Sequence, residues 1–263
     1  MEFGLCTNFA APPEDPVGLG LLPLIAQAGF DYVELPLCEV AALSPGEFVK
    51  LKQAIRESGL TAPTACNLFP DAMILRGGKE KKAEISDYLE HALSRAAELG
   101  IEKIVFASVS AWNTEGDQQA AQNEIVTLVQ DVMVPVFEKY GIQVLIEGIR
   151  KQVCNVVNTL PEAAGIAARV GHLSCGLMAD LFHMLSNEEP EEHLSLQRNK
   201  ITHVHIAELD RKLPVDAVSP ELKQLVSCLG NGTYDSRISF EVRAPFTCGD
   251  LKRAKHNILK EIL

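Results

Sequence analysis

Short apolar runs alternate with longer amphipathic stretches along the whole chain, and this alternation limits the possible folds more than any other feature of the sequence. The apolar runs have the length of buried strands, and the amphipathic stretches are long enough for helices that bury one face. The predicted strands are 3–7, 32–35, 62–67, 103–107, 143–147, 173–180, 203–207 and 237–241. The predicted helices are 16–29, 45–58, 79–99, 117–140, 159–170, 188–197, 219–229 and 249–262.

Strict alternation of strands and helices predicts a parallel sheet, because each helix carries the chain back to begin the next strand. Eight such units of about 30 residues predict an α/β fold of the (β/α)8 TIM-barrel type, which we expect to form one domain over residues 1–263. An open doubly wound sheet is the alternative, and it usually carries a glycine-rich phosphate loop after its first strand. Here that strand runs into Asn8-Phe9-Ala10-Ala11-Pro12-Pro13, which favours the barrel.

The carboxyl ends of the strands in such a barrel meet at one rim, where active sites lie. Predicted strands five to eight bring Glu147, Asp180, His205 and Glu241 to that rim. Converging carboxylates repel one another and are costly to bury without a compensating cation or hydrogen bonds. The sequence therefore predicts a divalent metal site. Three oxygen donors and one imidazole favour Mn²⁺ or Mg²⁺, with Co²⁺ or Fe²⁺ also compatible, and they argue against a structural zinc.

Further polar side chains lie on or next to the same strands. His203 precedes His205 by two residues, so it points into the same interior one layer deeper, and we expect it to orient a ligand through a hydrogen bond. Glu34 ends strand two, where it either reaches the substrate or has a structural role. Asn67 ends strand three and is a candidate to hydrogen-bond sugar hydroxyl groups.

Two loop residues are candidate substrate contacts. Trp112 follows strand four, and an aromatic face at a barrel mouth either packs on the apolar side of a sugar or covers its own loop. Arg211 lies six residues beyond His205 and either holds a substrate oxygen or phosphate or pairs with Asp210 or Glu208.

Composition excludes several classes of partner. The net charge is −11 and there is no basic stripe, so we expect no nucleic acid. No apolar run approaches the ~20 residues that span a bilayer, and the first residues lack the pattern of a signal peptide, so we expect no membrane and a cytoplasmic location. The seven cysteines form no CxxC pair, which is typical of buried free thiols in a reducing compartment.

The chain resembles the xylose isomerase-like barrel family, which includes sugar phosphate isomerases and epimerases, ketose 3-epimerases and hydroxypyruvate isomerases. The resemblance covers essentially the whole chain. The motifs that carry it are Gly29-Phe30-Asp31-Tyr32-Val33-Glu34-Leu35, Ile146-Glu147, Asp180-Leu181-Phe182-His183-Met184, His203-Val204-His205-Ile206-Ala207-Glu208 with Arg211, and Ile238-Ser239-Phe240-Glu241.

The resemblance implies roles for particular residues. Glu147, Asp180, His205 and Glu241 would be the metal ligands, and Glu147 and Glu241 would form the acid/base pair. His183 and Arg211 would contact oxygens of a small sugar or sugar phosphate. A homodimer or homotetramer is expected by the same resemblance. The segment 148–152 and the loop Arg211-Lys212-Leu213-Pro214-Val215 depart from the usual family patterns, which leaves the sugar open.

The predicted chemistry is proton transfer beside a carbonyl through a metal-stabilised enediolate, and the sequence does not choose between epimerisation and aldose–ketose isomerisation. Dehydration of a keto-polyol on the same scaffold is the main alternative. Phosphodiester cleavage of the endonuclease IV type needs additional early histidines, whereas strands two and three end in Glu34 and Asn67. A sugar-binding barrel without catalysis would not require both Glu147 and Glu241.

Overall fold

A closed barrel of eight parallel strands forms the centre of the computed structural model, which describes residues 1–75, 79–107, 113–230 and 234–263. The strands follow one another around the barrel in chain order, and the last pairs with the first. They are β1 (Glu2–Cys6), β2 (Tyr32–Pro36), β3 (Thr61–Cys66), β4 (Lys103–Phe106), β5 (Gln143–Ile146), β6 (Cys175–Asp180), β7 (Ile201–Ile206) and β8 (Arg237–Phe240). The predicted (β/α)8 barrel is therefore confirmed.

Helices connect successive strands. They are α1 (Leu22–Gln27), α2 (Leu37–Ala42), α3 (Pro45–Ser58), α4 (Lys79–Leu99), α5 (Gln118–Leu128), α6 (Val134–Tyr140), α7 (Leu160–Val170), α8 (Leu181–Ser186), α9 (Glu191–Gln197), α10 (Pro220–Ser227) and α11 (Cys248–Ile262). Within the described ranges, no helix combines the length and the apolar character needed to cross a membrane.

Capping residues fix where several helices begin. Ser44 and Thr159 each accept the backbone N–H of a glutamate three residues later, and that glutamate accepts the backbone N–H of the capping residue in return. This reciprocal arrangement satisfies N–H groups that a helix start would otherwise leave without partners.

The helix boundaries differ from the predicted ones in ways that local backbone chemistry explains. The helix predicted over 16–29 begins after Gly18, which is left-handed with a φ of 76°, as a 3₁₀ turn at Leu19–Leu21, and it becomes α-helical at Leu22. The helix predicted over 117–140 is interrupted by a π-helical turn at Val129–Met133. Pro135 follows this turn and has no N–H to donate, so the regular hydrogen-bond ladder changes there. The short helices α2 and α8 lie outside the predicted helices.

Strand register brings the polar ends of the strands to one level. Asp180 pairs with His205 between β6 and β7, and His205 pairs with Ser239 between β7 and β8. Across the first pair of strands, Cys6 lies beside Glu34. Because all strands run in one direction, these side chains meet at the carboxyl end of the barrel.

A small apolar cluster fills the inside of the barrel, separate from the larger core between strands and helices. Every member is 3% exposed or less: Cys6, Cys66, Val105, Leu145 and Met178.

The floor of the barrel is packed around Tyr32. Gly4 leaves room for the Tyr32 ring, since a Cβ atom at Gly4 would lie 2.1 Å from Cε2 of that ring. The hydroxyl of Tyr32 lies 2.9 Å from Oγ of Ser239. Tyr32 and Ser239 are both fully buried, so neither side chain has free space into which it could move.

We predict that Gly4→Ala destabilises the protein by about 1–3 kcal/mol, because the added methyl group overpacks a site with no room for relaxation. Chemical denaturation followed by circular dichroism would measure the free energy of unfolding. Gly46→Ala is the matched control, since no atom lies within 4 Å of a Cβ at that exposed position. Equal stability of the two variants would contradict this packing.

Candidate active site

The four predicted metal ligands lie together at the carboxyl end of the barrel. Glu147 directly follows β5, Asp180 ends β6, His205 lies near the end of β7, and Glu241 directly follows β8. All four are buried, with exposures of 5%, 2%, 1% and 5% respectively. Potential ligand atoms of Asp180, His205 and Glu241 lie within 4.8 Å of one another. The same is true of Glu147, Asp180 and His183, so both groups meet at Asp180.

Glu34 is fully buried beneath this group and is held by hydrogen bonds from three other strands. Its Oε1 lies 2.8 Å from Nε2 of His205, and its Oε2 lies 2.8 Å from Nε2 of His203. The hydroxyl groups of Thr64 and Ser239 also donate to Oε2. Burial raises the pKa of Glu34, but the two imidazoles outweigh burial and hold the pKa well below its ordinary value.

This network determines which nitrogen of His205 faces the site. A carboxylate can only accept, so Nε2 of His205 donates to Glu34 and the lone pair of the neutral ring is on Nδ1. That Nδ1 lies 3.5 Å from Oε2 of Glu241 and, among the described residues, has no hydrogen-bond partner. Burial lowers the pKa of His205, but Glu34 and Glu241 outweigh burial and raise it well above its ordinary value. Without a cation, these carboxylates therefore favour a proton on Nδ1, and a bound cation would replace that proton.

Asp180 also presents a buried oxygen to the site. Its Oδ1 accepts the backbone N–H groups of Phe182 and His183, which orients the carboxylate. Its Oδ2 is buried and faces cationic and polar groups, with Nη1 of Arg211 at 3.0 Å and Nε2 of His183 at 3.5 Å. Oδ2 of Asp180 and Nδ1 of His205 are thus the atoms that these two residues direct into the site.

The electrostatics of Glu147 show an excess of negative charge at the same place. Burial, and then the carboxylates of Asp180 and Glu241, raise the pKa of Glu147 well above its ordinary value. A divalent cation would offset this excess, and both Oδ2 of Asp180 and Nδ1 of His205 are donor atoms of suitable type. Asp180, His205 and Glu241 therefore offer a donor set that fits a metal ion, and Glu147 joins Asp180 and His183 in an adjoining set.

Arg211 supplies positive charge to the site. Its Nη1 lies 3.0 Å from Oδ2 of Asp180 and also contacts Oε2 of Glu241. The guanidinium carbon lies 4.0 Å from the centre of the Phe182 ring. The sequence left open an ion pair between Arg211 and Asp210 or Glu208. In the described structure Arg211 pairs instead with the carboxylates of Asp180 and Glu241. Its φ of 57° and that of Asp210, 62°, are left-handed, which turns the loop inward.

His183 lies beside Asp180 and Glu147 as a neutral imidazole. The backbone N–H of Arg150 lies 3.3 Å from its Nδ1, and Nη2 of Arg211 lies 3.2 Å from its Nε2. Both of these groups are donors and a neutral ring has one acceptor nitrogen, so the ring accepts from only one of them. Nε2 lies 3.5 Å from Oδ2 of Asp180 and 4.0 Å from Oε1 of Glu147. Burial lowers the pKa of His183 to about 4, which keeps the ring neutral at physiological pH.

A cavity of about 570 Å³ opens above these side chains. Its lining combines polar and aromatic groups and includes Asn8, Phe9, Asn67, Phe69, Glu147, Arg150, His183, Arg211, Glu241 and Arg243. This volume and this mixture of surfaces suit a small polar ligand.

The remaining predicted substrate residues occupy different positions. Asn67 lines the cavity, and its amide nitrogen donates to Sγ of Cys38 at 3.0 Å. Glu34 lies below the cavity, where its carboxylate contacts protein donors. His203 lies at the same depth and shares Glu34 with His205, so it reaches the proposed ligand through that carboxylate. Trp112 lies outside the described residues.

Sequence reasoning missed side chains that support or flank these groups. Ser239 and Thr64 donate to Glu34, and Phe9 packs on the Arg211 guanidinium. Ser239 precedes Glu241 by two residues and therefore shares its side of the strand, which is a signal that the sequence offers. The sequence offers no such signal for Phe9, because its contact with Arg211 depends on the conformation of the loop after β1.

The fold and the buried carboxylate–histidine group together define a (β/α)8 barrel with a metal-type site at its carboxyl end. Residues 22–259 match the xylose isomerase-like TIM barrel family, and the chain belongs to that family.

Two relatives extend this result. D-psicose 3-epimerase of Agrobacterium fabrum is 22% identical over 202 residues, which cover 72% of this chain and 67% of that protein. Ketose 3-epimerase of Arthrobacter globiformis is 23% identical over 232 residues, which cover 82% of this chain and 74% of that protein.

Solved structures share the same barrel. A D-psicose 3-epimerase crystallised in the presence of D-fructose superposes with a TM-score of 0.79 at 19% identity, covering 99% of this chain and 96% of that one. The IOLI protein, solved with a zinc atom, gives a TM-score of 0.77 at 18% identity, covering 100% of this chain and 98% of that one. At these identities the structural likeness establishes the fold.

We predict that Glu34→Gln lowers the affinity for Mn²⁺ by about 10–100-fold, because the amide no longer fixes the ring and lone pair of His205. Isothermal titration calorimetry would measure the affinity. Glu189→Gln is the matched control, since the Glu189 side chain is 2% exposed and pairs with His193 at the same 2.8 Å, away from the barrel interior. A similar loss of Mn²⁺ affinity in both variants would show that the effect is general destabilisation.

Proposed function

We propose that this chain is a metal-dependent isomerase of the epimerase type that acts on a small ketose, free or phosphorylated. The observation that carries the proposal is the convergence of buried carboxylates with Nδ1 of His205 below a cavity of about 570 Å³. The epimerase names of the two relatives support the same class of reaction.

The metal would be Mn²⁺ or Mg²⁺, with Co²⁺ compatible, and Glu147, Asp180, His205 and Glu241 would hold it. Once bound, it would polarise a substrate carbonyl as a Lewis acid. The structure of the IOLI protein, which has the same fold, contains a zinc atom. The oxygen-rich donor set of this chain favours harder cations than zinc.

Glu147 and Glu241 would carry the proton transfer. They follow β5 and β8, which are three strands apart around the barrel, so their carboxylates approach a substrate from different sides. One carboxylate would remove the carbon-bound proton next to the carbonyl, and the other would return a proton to the opposite face of that carbon. Return from the opposite face inverts the carbon, which is epimerisation.

Other residues of the chain would orient the substrate. His183 lines the cavity and would contact a substrate oxygen, and its lowered pKa keeps the ring neutral. Arg211 would hold a neighbouring oxygen, with its guanidinium kept in place between Phe182 and Phe9. Asn67 lines the cavity wall and would contact a more distant hydroxyl group.

We predict that Glu147→Gln and Glu241→Gln each lower the rate of deuterium incorporation from solvent into ketose substrates by about 10²–10⁴-fold, because each removes one proton carrier. The measurement is NMR of a panel of free and phosphorylated ketoses in D₂O at saturating Mn²⁺. Glu208→Gln is the control, since Glu208 lies in the loop after β7 and its carboxylate accepts hydrogen bonds from Ser219. Unchanged exchange in both variants for every ketose turned over would refute the assignment.

We also predict that Arg211→Met raises the affinity for Mn²⁺ by roughly tenfold in the absence of sugar, because Arg211 occupies the same carboxylate oxygens that a cation needs. Turnover should fall in the same variant because a substrate oxygen loses its partner. Arg243→Met is the control, since Arg243 lines the same cavity and is exposed. Weaker Mn²⁺ binding by Arg211→Met would show that Arg211 supports the site and does not compete for it.

A further inference from the structure

Two cysteines lie side by side at the base of the cavity. Cys6 is the last residue of β1 and Cys66 the last of β3, and their sulfur atoms are 3.4 Å apart. Cys6 is fully buried, while Cys66 is 3% exposed and forms part of the cavity lining. The proposed reaction uses neither thiol.

The carboxylate of Glu241 faces these thiols with one oxygen and the predicted metal ligands with the other. Its Oε1 lies 3.8 Å from Sγ of Cys6. Its Oε2 lies 3.5 Å from Nδ1 of His205. A carboxylate placed in this way can bridge two cations, each held on a different side.

We propose that Cys6, Cys66 and Oε1 of Glu241 form a second cation site, specific for thiophilic divalent ions such as Zn²⁺ and Cd²⁺. One potential donor atom from each of Cys6, Cys66 and Glu241 lies within 4.8 Å of the other two. Zinc–sulfur bonds of about 2.3 Å and zinc–oxygen bonds of about 2.0–2.2 Å in a tetrahedron place neighbouring donors roughly 3.5–3.8 Å apart. The observed 3.4 Å and 3.8 Å separations need little rearrangement to match.

The surroundings favour a soft ion over a hard one. The side chains packed around the two thiols are Val105, Leu145 and the thioether of Met178. Mn²⁺ and Mg²⁺ prefer oxygen donors, whereas this group offers two sulfur atoms and one oxygen. On binding, each thiol loses its proton to solvent and the cation takes its place.

This site rests on the proposed function only through Glu241, which both cations would share. A bridging carboxylate in two-metal sites holds ions about 3.5–4 Å apart. The two donor sets differ in softness, so the two sites should select different ions. They can therefore be tested independently with different metals.

The experiment titrates the full-length, chelator-treated protein with Cd²⁺ alone in the presence of a phosphine reductant. The sulfur-to-cadmium charge-transfer absorption reports thiolate ligation, and X-ray absorption counts the sulfur neighbours. We expect one cadmium with two sulfur neighbours. Cys66→Ser should lower the affinity of that site by about 100-fold or more. If the serine hydroxyl of the Cys66→Ser variant prevents folding at this buried position, the variant Cys66→Ala is used in its place.

Cys228→Ser is the control for loss of a thiol, because Cys228 is half-buried at the end of α10, outside the barrel. It should leave cadmium binding unchanged. Cys66→Ser should also leave Mn²⁺ affinity within about threefold of the unmodified protein, since the four ligands of the proposed metal centre remain.

The outcomes separate the two proposals. Absence of the charge-transfer band in the unmodified protein, or its persistence in the double variant Cys6→Ser/Cys66→Ser, overturns the thiol site. Mn²⁺ binding without a thiolate-bound cadmium would leave the proposed function intact while the thiol site fails. A thiolate-bound cadmium without Mn²⁺ binding would support the thiol site and remove the metal centre of the proposed function.

Discussion

Buried negative charge at the carboxyl end of the barrel is the constraint on which the rest of the site depends. Glu147, Asp180 and Glu241 come from three strands, and each is 5% exposed or less. Removing such groups from water costs several kcal/mol each unless opposite charge or hydrogen bonds compensate. Arg211, the imidazoles and the backbone N–H groups at the start of α8 provide part of that compensation. Burial and the carboxylates of Asp180 and Glu241 nevertheless outweigh His205 and Arg211 at Glu147 and raise its pKa.

The fold could be predicted from the sequence because its main determinant is periodic. Alternating apolar and amphipathic segments define strands and helices, and parallel strands bring residues far apart in the chain to one rim. Glu147, Asp180, His205 and Glu241 could be selected for that reason, because each lies at or near the end of a predicted strand. Helix ends were less predictable where single residues decide them, as Gly18 does by its left-handed backbone.

Features of the site that depend on depth or on loop conformation could not be predicted. The alternation of side chains shows that Glu34 points inward, but not that it lies beneath His205 and receives four hydrogen bonds. The contacts of Arg211 depend on consecutive left-handed residues at 210 and 211, which no local sequence signal marks. The approach of Cys6 to Cys66 depends on barrel closure, since these residues are 60 positions apart and on strands that are not neighbours.

Gly4, Tyr32, Ser239 and Glu34 form a continuous series of contacts along the inside of the barrel. This series affects which amino-acid substitutions the protein tolerates. The Tyr32 hydroxyl meets Ser239, whose own hydroxyl donates to Glu34, and Glu34 in turn fixes the His205 ring. The two ends of the barrel interior are thus mechanically coupled through its axis. A lineage that enlarged residue 4 would have to shrink residue 32, and the imidazole at the rim would then lose part of its anchorage. Substitutions at these positions should therefore not be independent in their effects, although Gly4 and Tyr32 lie below the site.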